Sequence, residues 1–396
     1  MTQRIAMVAY THYTTDARPR RAAEALTGRG DSVDFFALSE RERPLEESLN
    51  GVAIHRLDLP RYRGGNALQY VRSYFGFLAR AASRVTAQHV RNRYDVVYVH
   101  TMPDAMVFCG LFAKLSGARL VLDVHDTMPE LYQSKFGLKP THPLIRALAV
   151  QEQLSCRFAD RVICVNEPHR QLLVSRGLNP DKITIIMNLP DPSIFGRCGG
   201  AATSETAPPR LVYHGTVARR LGLDLAITAF AQVVKAYPAA RFDIYGSGDA
   251  GPDIDQLITE LGLSESVSFS NKHFRVDAIP ELVRGATLGV IPNREDPATR
   301  YMLPVKLLEY VYLGIPTVVP RLMTIQHYFD EKSVAYYNAG DVEGMAEAIK
   351  EVLGSAERRR ALREAAAGFA RHYAWDRVKE DLFMAVDGVF GASEGR

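Results

Sequence analysis

A series of short, continuously apolar runs is spread along this chain, each stopped by a glycine, a proline or a polar loop and most followed by a stretch with helical spacing. In the first half they are residues 4–9 (RIAMVA), 32–38 (SVDFFAL), 52–59, 96–99, 120–124, 161–165 (RVICV) and 182–187 (KITIIM). In the second half they are 210–214 (RLVYH), 241–245, 266–269, 286–291 (ATLGVI) and 315–319 (IPTVV). Helical spacing is found at 19–27, 66–90, 143–158, 222–237, 254–261 and 278–284, after Asn166-Glu167 and around Lys306, and again at 342–353, 356–372 and 375–389. Apolar strands alternating with helices predict parallel sheets covered on both faces, with ligands bound beyond the carboxyl ends of the strands. The first half reads as roughly two strand–helix repeats short of a full Rossmann pair.

Residues 197–209 (RCGGAATSETAPP) interrupt this rhythm and are the one strong linker signal. The domains expected are 1–194, joined by 375–396, and 210–374, with 195–209 between them. At 396 residues, 47% hydrophobic and 23% charged, the chain is long enough for two full cores. A net charge of +3 argues against nucleic acid as the main partner. Cys109, Cys156, Cys164 and Cys198 show no paired spacing, which fits a reducing compartment. The chain enters a strand at once and has no run of ~20 uncharged apolar residues, so a cytoplasmic location is expected.

Residues 301–320 (YMLPVKLLEYVYLGIPTVVP) concentrate the chemistry. Pro304 suits a helix start, Leu307, Leu308 and Val311 recur at helical spacing, and Gly314 suits a left-handed end. Lys306 and Glu309 then fall near a helix terminus beyond a strand, where Lys suits phosphate and Glu suits a ribose diol. For the pair alone, an acid favouring the helix terminus and a surface lysine serve as well.

The string PVKLLEY…GIPTVV resembles the donor-site signature of retaining GT-B glycosyltransferases of the group 1, GT4-like family, in particular the bacterial polysaccharide branch with P-x-K-L-x-E-Y. Many relatives carry a second Glu eight positions before the one matching Glu309, and here that position is Tyr301. YHGTVARRLGLD is similar to the family's G-x-x-x-x-R-x-G-x-D donor loop, which implies Arg220 as the diphosphate ligand with Arg219 beside it. The broader family's Arg and Lys positions in that loop are Thr216 and Leu221 here. The implied donor site comprises Gly215, Thr216, Arg219, Arg220, Gly246, Tyr301, Met302, Leu303, Lys306 and Glu309.

In the first half the loop after the first strand has no glycine, which excludes a dinucleotide fingerprint. Its Asp16, Arg18 and Arg21 resemble a D-x-R-x-x-R pattern in some of the same enzymes and are placed on the acceptor side, although a capped helix with a basic face explains each equally. Two near-repeats follow strands, one from His100 to Asp104 and one from His125 to Glu130. The acids and prolines in them start helices. HDTMPELYQSKFG resembles the family loop in which His125 would contact the transferring sugar, and His100 and Asp126 are placed on the acceptor side. A metal cluster of Asp123, His125 and Asp126 is the rival, but no metal-ligand spacing supports it and no metal is expected. MNLPDPSIF resembles the interdomain turn of the family, without its usual glycine.

The resemblance implies two Rossmann-like domains facing each other across a cleft, with the last helix crossing back to the first domain. It further implies transfer of a sugar from a nucleotide-sugar to a glycan, lipid-linked or small-molecule acceptor without a cofactor. Arg220 and Lys306 would stabilise the departing diphosphate, one of whose oxygens helps to remove the acceptor proton. No carboxylate pair stands out for double displacement. A nucleotide-sugar 2-epimerase of the same fold and an inactive nucleotide-sugar-binding subunit remain open. The basic, aromatic stretch around Tyr70, Phe75, Arg72 and Arg80, with Arg61 and Arg63 before it, suits either a core-facing helix or peripheral contact with an anionic membrane.

Overall fold

The computed structural model describes residues 2–59, 67–196 and 207–389. The chain forms two compact units, Met1–Asn188 with Asp376–Arg396, and Leu189–Trp375. Most of the linker stretch, with Cys198, and the Arg61 and Arg63 positions lie outside the described residues.

The first unit is built on β1 (Arg4–Ala9), β2 (Ser32–Leu38), β3 (Glu46–Leu49), β4 (Val52–Leu57), β5 (Val96–His100), β6 (Arg119–Val124), β7 (Arg161–Cys164) and β8 (Ile183–Ile185). Their order is β3-β4-β2-β1-β5-β6-β7-β8, parallel throughout except for the β3–β4 hairpin. This corrects the expectation of missing repeats, because the doubly wound sheet is complete. The hairpin is absent from the sequence reading for a physical reason. Its outer strand, EESL, is a charged edge strand without an apolar alternation, and only the Asn50-Gly51 turn, with φ of 52° and 82°, signals it. Two expected strands are shorter than read, 52–59 stopping at Leu57 and 182–187 reduced to Ile183–Ile185 behind a 3-10 turn. The central strands pack Ile5, Val8, Val97, Val99, Leu120 and Leu122 with no exposed surface, as parallel strands covered on both faces require.

The helix Trp375–Asp387 lies in this unit from Asp376 onward. Asp387 accepts from Gln3 Nε2 at 2.9 Å and Arg29 Nη1 at 3.1 Å, and the Arg29 guanidinium lies 4.8 Å from the centre of the Phe383 ring. The helix Ala67–Arg91 buries Phe77 completely, with the Tyr10 ring centroid 5.2 Å from it, but leaves Phe75 exposed. One side of it is core, as the plainer of the two expectations held.

The second unit holds β9 (Arg210–His214), β10 (Arg241–Tyr245), β11 (Val267–Phe269), β12 (Leu288–Val290), β13 (Thr317–Pro320) and β14 (Ala335–Tyr337). All are parallel, in the order β11-β10-β9-β12-β13-β14. β14 and the short helix Met323–Tyr328 are missing from the sequence reading, because three and six residues are too few to show a period. No helix among the described residues is long and apolar enough to cross a membrane.

Candidate functional site

The central strand of the second unit, β9, ends in His214 and runs into a turn at Gly215. Two backbone bonds lock this turn to the loop after β10, Gly215 N to Tyr245 O at 2.8 Å and Val217 N to Ser247 O at 3.0 Å. A side chain at Gly246 would strike the Gly215 carbonyl, and one at Gly248 the Val217 carbonyl, so glycine is what lets the two loops meet. Tyr213 ties the same loop from within, donating to Thr216 O at 2.6 Å. The 3-10 turn Arg219–Leu221 follows, then Gly222 with φ of 66° and the helix Leu223–Ala236.

The helix Val305–Tyr312 approaches this loop from beyond β12. Gly314 closes it in the left-handed conformation, φ 68°, as expected. Lys306 is its second residue, where a cation opposes the helix dipole. Its Nζ lies 3.7 Å from the centre of the Tyr213 ring, against the bare backbone of Gly215. The residue as a whole is half-buried, but the Nζ itself is sealed from solvent and has no hydrogen-bond partner. Burial pushes the ammonium down to about 7, with Glu309 resisting and Arg220 adding to the fall. Arg220 Nε is likewise buried and unpartnered. Two cations are thus held close together with only Glu309 acting on Lys306 from beyond hydrogen-bond reach, a poor arrangement for stability and a suitable one for a diphosphate.

Glu309 is the fifth residue of the helix, just beyond its first turn. The dipole benefit fades within one turn and does not explain it. Glu309 is buried, with Oε2 3.1 Å from His214 Nε2, a neighbour that sequence reasoning missed although it ends the preceding strand. Leu303 is buried, Tyr301 and Met302 are half-buried, and Thr216 and Arg219 are exposed.

In the first unit the carboxyl ends of β5 and β6 place His100 opposite Asp123. Asp123 Oδ1 accepts from Arg18 Nη2 at 2.6 Å, and Oδ2 accepts from the Tyr98 hydroxyl at 3.1 Å. The same Oδ2 lies 3.2 Å from His100 Nδ1 and 3.4 Å from His125 Nε2, and the two imidazole nitrogens are 3.1 Å apart. Burial alone would raise the Asp123 carboxyl, but Arg18, His125 and His100 together hold it well below the usual carboxylate range. Burial lowers His100 in spite of Asp123.

The ligand-type atoms of His100, Asp123 and His125 lie within 4.8 Å of one another, so the three could hold a metal ion. The rival cluster is corrected in one member: the third residue is His100 and not Asp126, brought in by strand register and not by sequence spacing. The bonding of the cluster speaks for a different use. Arg18 and Tyr98 already satisfy Asp123, and His100 Nε2, which a metal-bound imidazole ordinarily anchors, has no partner.

Arg18 also donates to Ile186 O at 3.1 Å, and Arg21 to Asn188 Oδ1 at 3.2 Å. Both are buried, so these arginines are engaged inside the unit and do not form the solvated basic helix face that was the alternative reading. Asp16 stands at the start of the helix Ala17–Arg29 without a side-chain cap bond, and Asp126 is half-buried beside His125.

Residues 15–188 match the family model of the glycosyl transferase 4-like domain, and residues 208–355 that of the glycosyl transferases group 1. The chain is 28% identical over 318 residues to an exopolysaccharide phosphotransferase of Streptomyces coelicolor, a match over 77% of this chain and 30% of that protein. It therefore spans about a third of the length of that relative. It is 23% identical over 385 residues to a D-inositol 3-phosphate glycosyltransferase of Corynebacterium urealyticum, covering 92% of this chain and 88% of the other. Among solved structures it is similar to the sucrose-phosphate synthase of Thermosynechococcus elongatus, with a TM-score of 0.79, 17% identity and coverage of 99% and 100%. That likeness shows a two-domain, Rossmann-like GT-B fold. With one family model on each unit, the chain belongs to the group 1, GT4-like glycosyltransferases.

Proposed function

We propose that the protein transfers a glycosyl group from a nucleoside-diphosphate sugar to an acceptor hydroxyl, with retention of anomeric configuration. The observation that carries this reading is Lys306, a sealed and unpartnered ammonium set against the helix dipole beside a glycine turn and Arg220. A donor diphosphate supplies the missing anion. Glu309 takes the ribose diol, and Lys306 with Arg220 meets the charge that grows on the diphosphate as the glycosidic bond breaks. A diphosphate oxygen then helps to take the acceptor proton. His125, oriented by Asp123, serves the transferring sugar. The acceptor is a glycan, a lipid-linked saccharide or a small molecule, and no resident cofactor or metal is required.

Peripheral contact with an anionic membrane belongs to the same reading, through exposed Phe75 with Arg72 and Arg80 on the helix Ala67–Arg91. A panel of nucleotide-sugars incubated with the protein tests the main proposal. Glycosyl transfer or slow donor hydrolysis supports it; C2 epimerisation would make the protein an isomerase, and tight binding without turnover an inactive subunit.

A further inference from the structure

We infer that Arg294 is a positioning residue: it sets the arginine turn of the donor site by tying it to the segment that leads into the helix of Lys306 and Glu309. The inference rests on the reading of Arg220 as a diphosphate ligand.

The turn Arg219–Leu221 is a single 3-10 turn with no side-chain cap, too short to hold its own geometry. Arg294 closes it from outside. Its backbone N donates to Arg220 O at 3.1 Å and its Nη1 to Arg219 O at 2.7 Å. Nη1 and Nη2 also grip Asp224, in the first turn of the helix Leu223–Ala236, through Nη1 to Oδ1 at 2.7 Å and Nη2 to Oδ2 at 2.5 Å. Between these anchors Gly222 turns left-handed, and its missing side chain leaves room for the Pro292 carbonyl. Both arginine carbonyls and the helix that follows are therefore fastened to one residue.

Arg294 is itself held. Its carbonyl accepts from Thr299 Oγ1 at 2.5 Å, and Thr299 has no exposed surface. Asp296 Oδ1 accepts from the backbone N of Ala298 and of Thr299, each at 2.8 Å. The 3-10 turn Thr299–Tyr301 begins there and leads directly to the helix Val305–Tyr312. The clamp thus joins the two pieces of chain that bring Arg220 and Lys306 together.

An ordinary surface ion pair is the alternative, since the Arg294 and Asp224 side chains are 29% and 41% exposed and such pairs contribute little. A pair of that kind would not spend its donors on the carbonyls of both diphosphate-loop arginines. Nor would it need a guanidinium; the fork to Asp224 with a further bond to Arg219 O is geometry that lysine does not reproduce.

The test is calorimetric titration of UDP, ADP and GDP into wild type, Arg294→Met, Arg294→Lys, Arg220→Ala and the double variant Arg220→Ala/Arg294→Met, with thermal unfolding of each. The tightest nucleotide should bind Arg294→Met about tenfold or more weakly, as misplaced binding groups do, and Arg294→Lys should not restore it. In the Arg220→Ala background the same change should cost less than about twofold, because the two residues act as one unit. If Arg294→Met does not fold, Asp224→Asn, which keeps the shape of the pair, carries the comparison. Affinity within about twofold of wild type overturns the inference and leaves a surface pair. A tenfold loss that persists without Arg220 also overturns it, because Arg294 would then act independently. Unchanged binding by Arg220→Ala, or no binding by wild type, refutes the donor-site reading itself and the inference with it.

Discussion

Asp123 in the first unit and Lys306 in the second are both buried charges at the carboxyl ends of parallel strands, yet they are treated in opposite ways. Asp123 is surrounded by donors: Arg18, Tyr98, His100 and His125 all converge on its two oxygens. Lys306 has an aromatic face, a bare glycine backbone and another cation nearby, and no hydrogen-bond acceptor for its Nζ. A compensated charge stiffens its surroundings and can orient a side chain such as His125. An uncompensated one costs stability until a ligand of opposite charge arrives. The contrast suits the proposed reading, in which the first cluster orients His125 and the second binds an anion.

The strongest way to break the contrast is to remove each charge and compare stability. Asp123→Asn leaves the Arg18 guanidinium buried without its anion and should cost about 3–5 kcal/mol, read by denaturant unfolding. Lys306→Met should move the other way, raising the unfolding temperature of the ligand-free protein. A loss of stability on Lys306→Met would mean that the lysine is structurally compensated after all.

The second comparison is kinetic. Lys306→Ala should lower kcat by about two orders of magnitude, a typical cost of removing a charge-stabilising donor. The same lysine makes donor binding depend on pH. With its folded value near 7 and its free value near 10.5, the unfolded chain holds more protons between these limits, so Lys306 lets stability of the empty protein rise with pH in that window. A bound diphosphate reverses this by drawing the proton back. Titration at pH 8 in buffers of different ionisation enthalpy should therefore show proton uptake, lost in Lys306→Met, with affinity falling as pH rises.

Glu309→Gln is a subtler probe. If the carboxylate grips the ribose in ground and transition states alike, donor KM rises while kcat falls only modestly. A folded variant with unchanged donor KM would remove the nucleotide site from this helix. The smallest effect is expected from EDTA. With Asp123 already bonded to Arg18 and Tyr98, turnover should survive the chelator; loss restored by one divalent ion would reassign His100, Asp123 and His125 as ligands.

Apolar runs such as RIAMVA and RLVYH announced the parallel strands directly, since burial on both faces requires that composition. The charged edge strand EESL and the three-residue β14 carried no such pattern. Within the site, Lys306, Glu309 and Arg220 were legible because they stand in one helix and one loop whose local order the sequence states. His214 and Arg294 were not. Each acquires its meaning from a partner far along the chain, Glu309 for the first and the Arg219–Leu221 turn for the second. The burial of Arg18 and Arg21 was not legible for a similar reason, because nothing local distinguishes an arginine that enters a core, as Arg18 does to meet Asp123, from one on a solvated helix face.

The order of amino acids alone determined two strand–helix units, the glycines of the loop after β9 and the Pro-x-Lys-x-x-Glu helix, all of which depend on neighbours within a few residues. Tertiary structure alone decided that His100 and not Asp126 joins Asp123 and His125, and that the Lys306 Nζ is left without a hydrogen-bond partner while Asp123 is bonded to Arg18 and Tyr98 with both imidazoles beside it. The physical reason is that charge compensation is set by strand register and burial, which bring together residues too far apart in sequence for any local pattern to record.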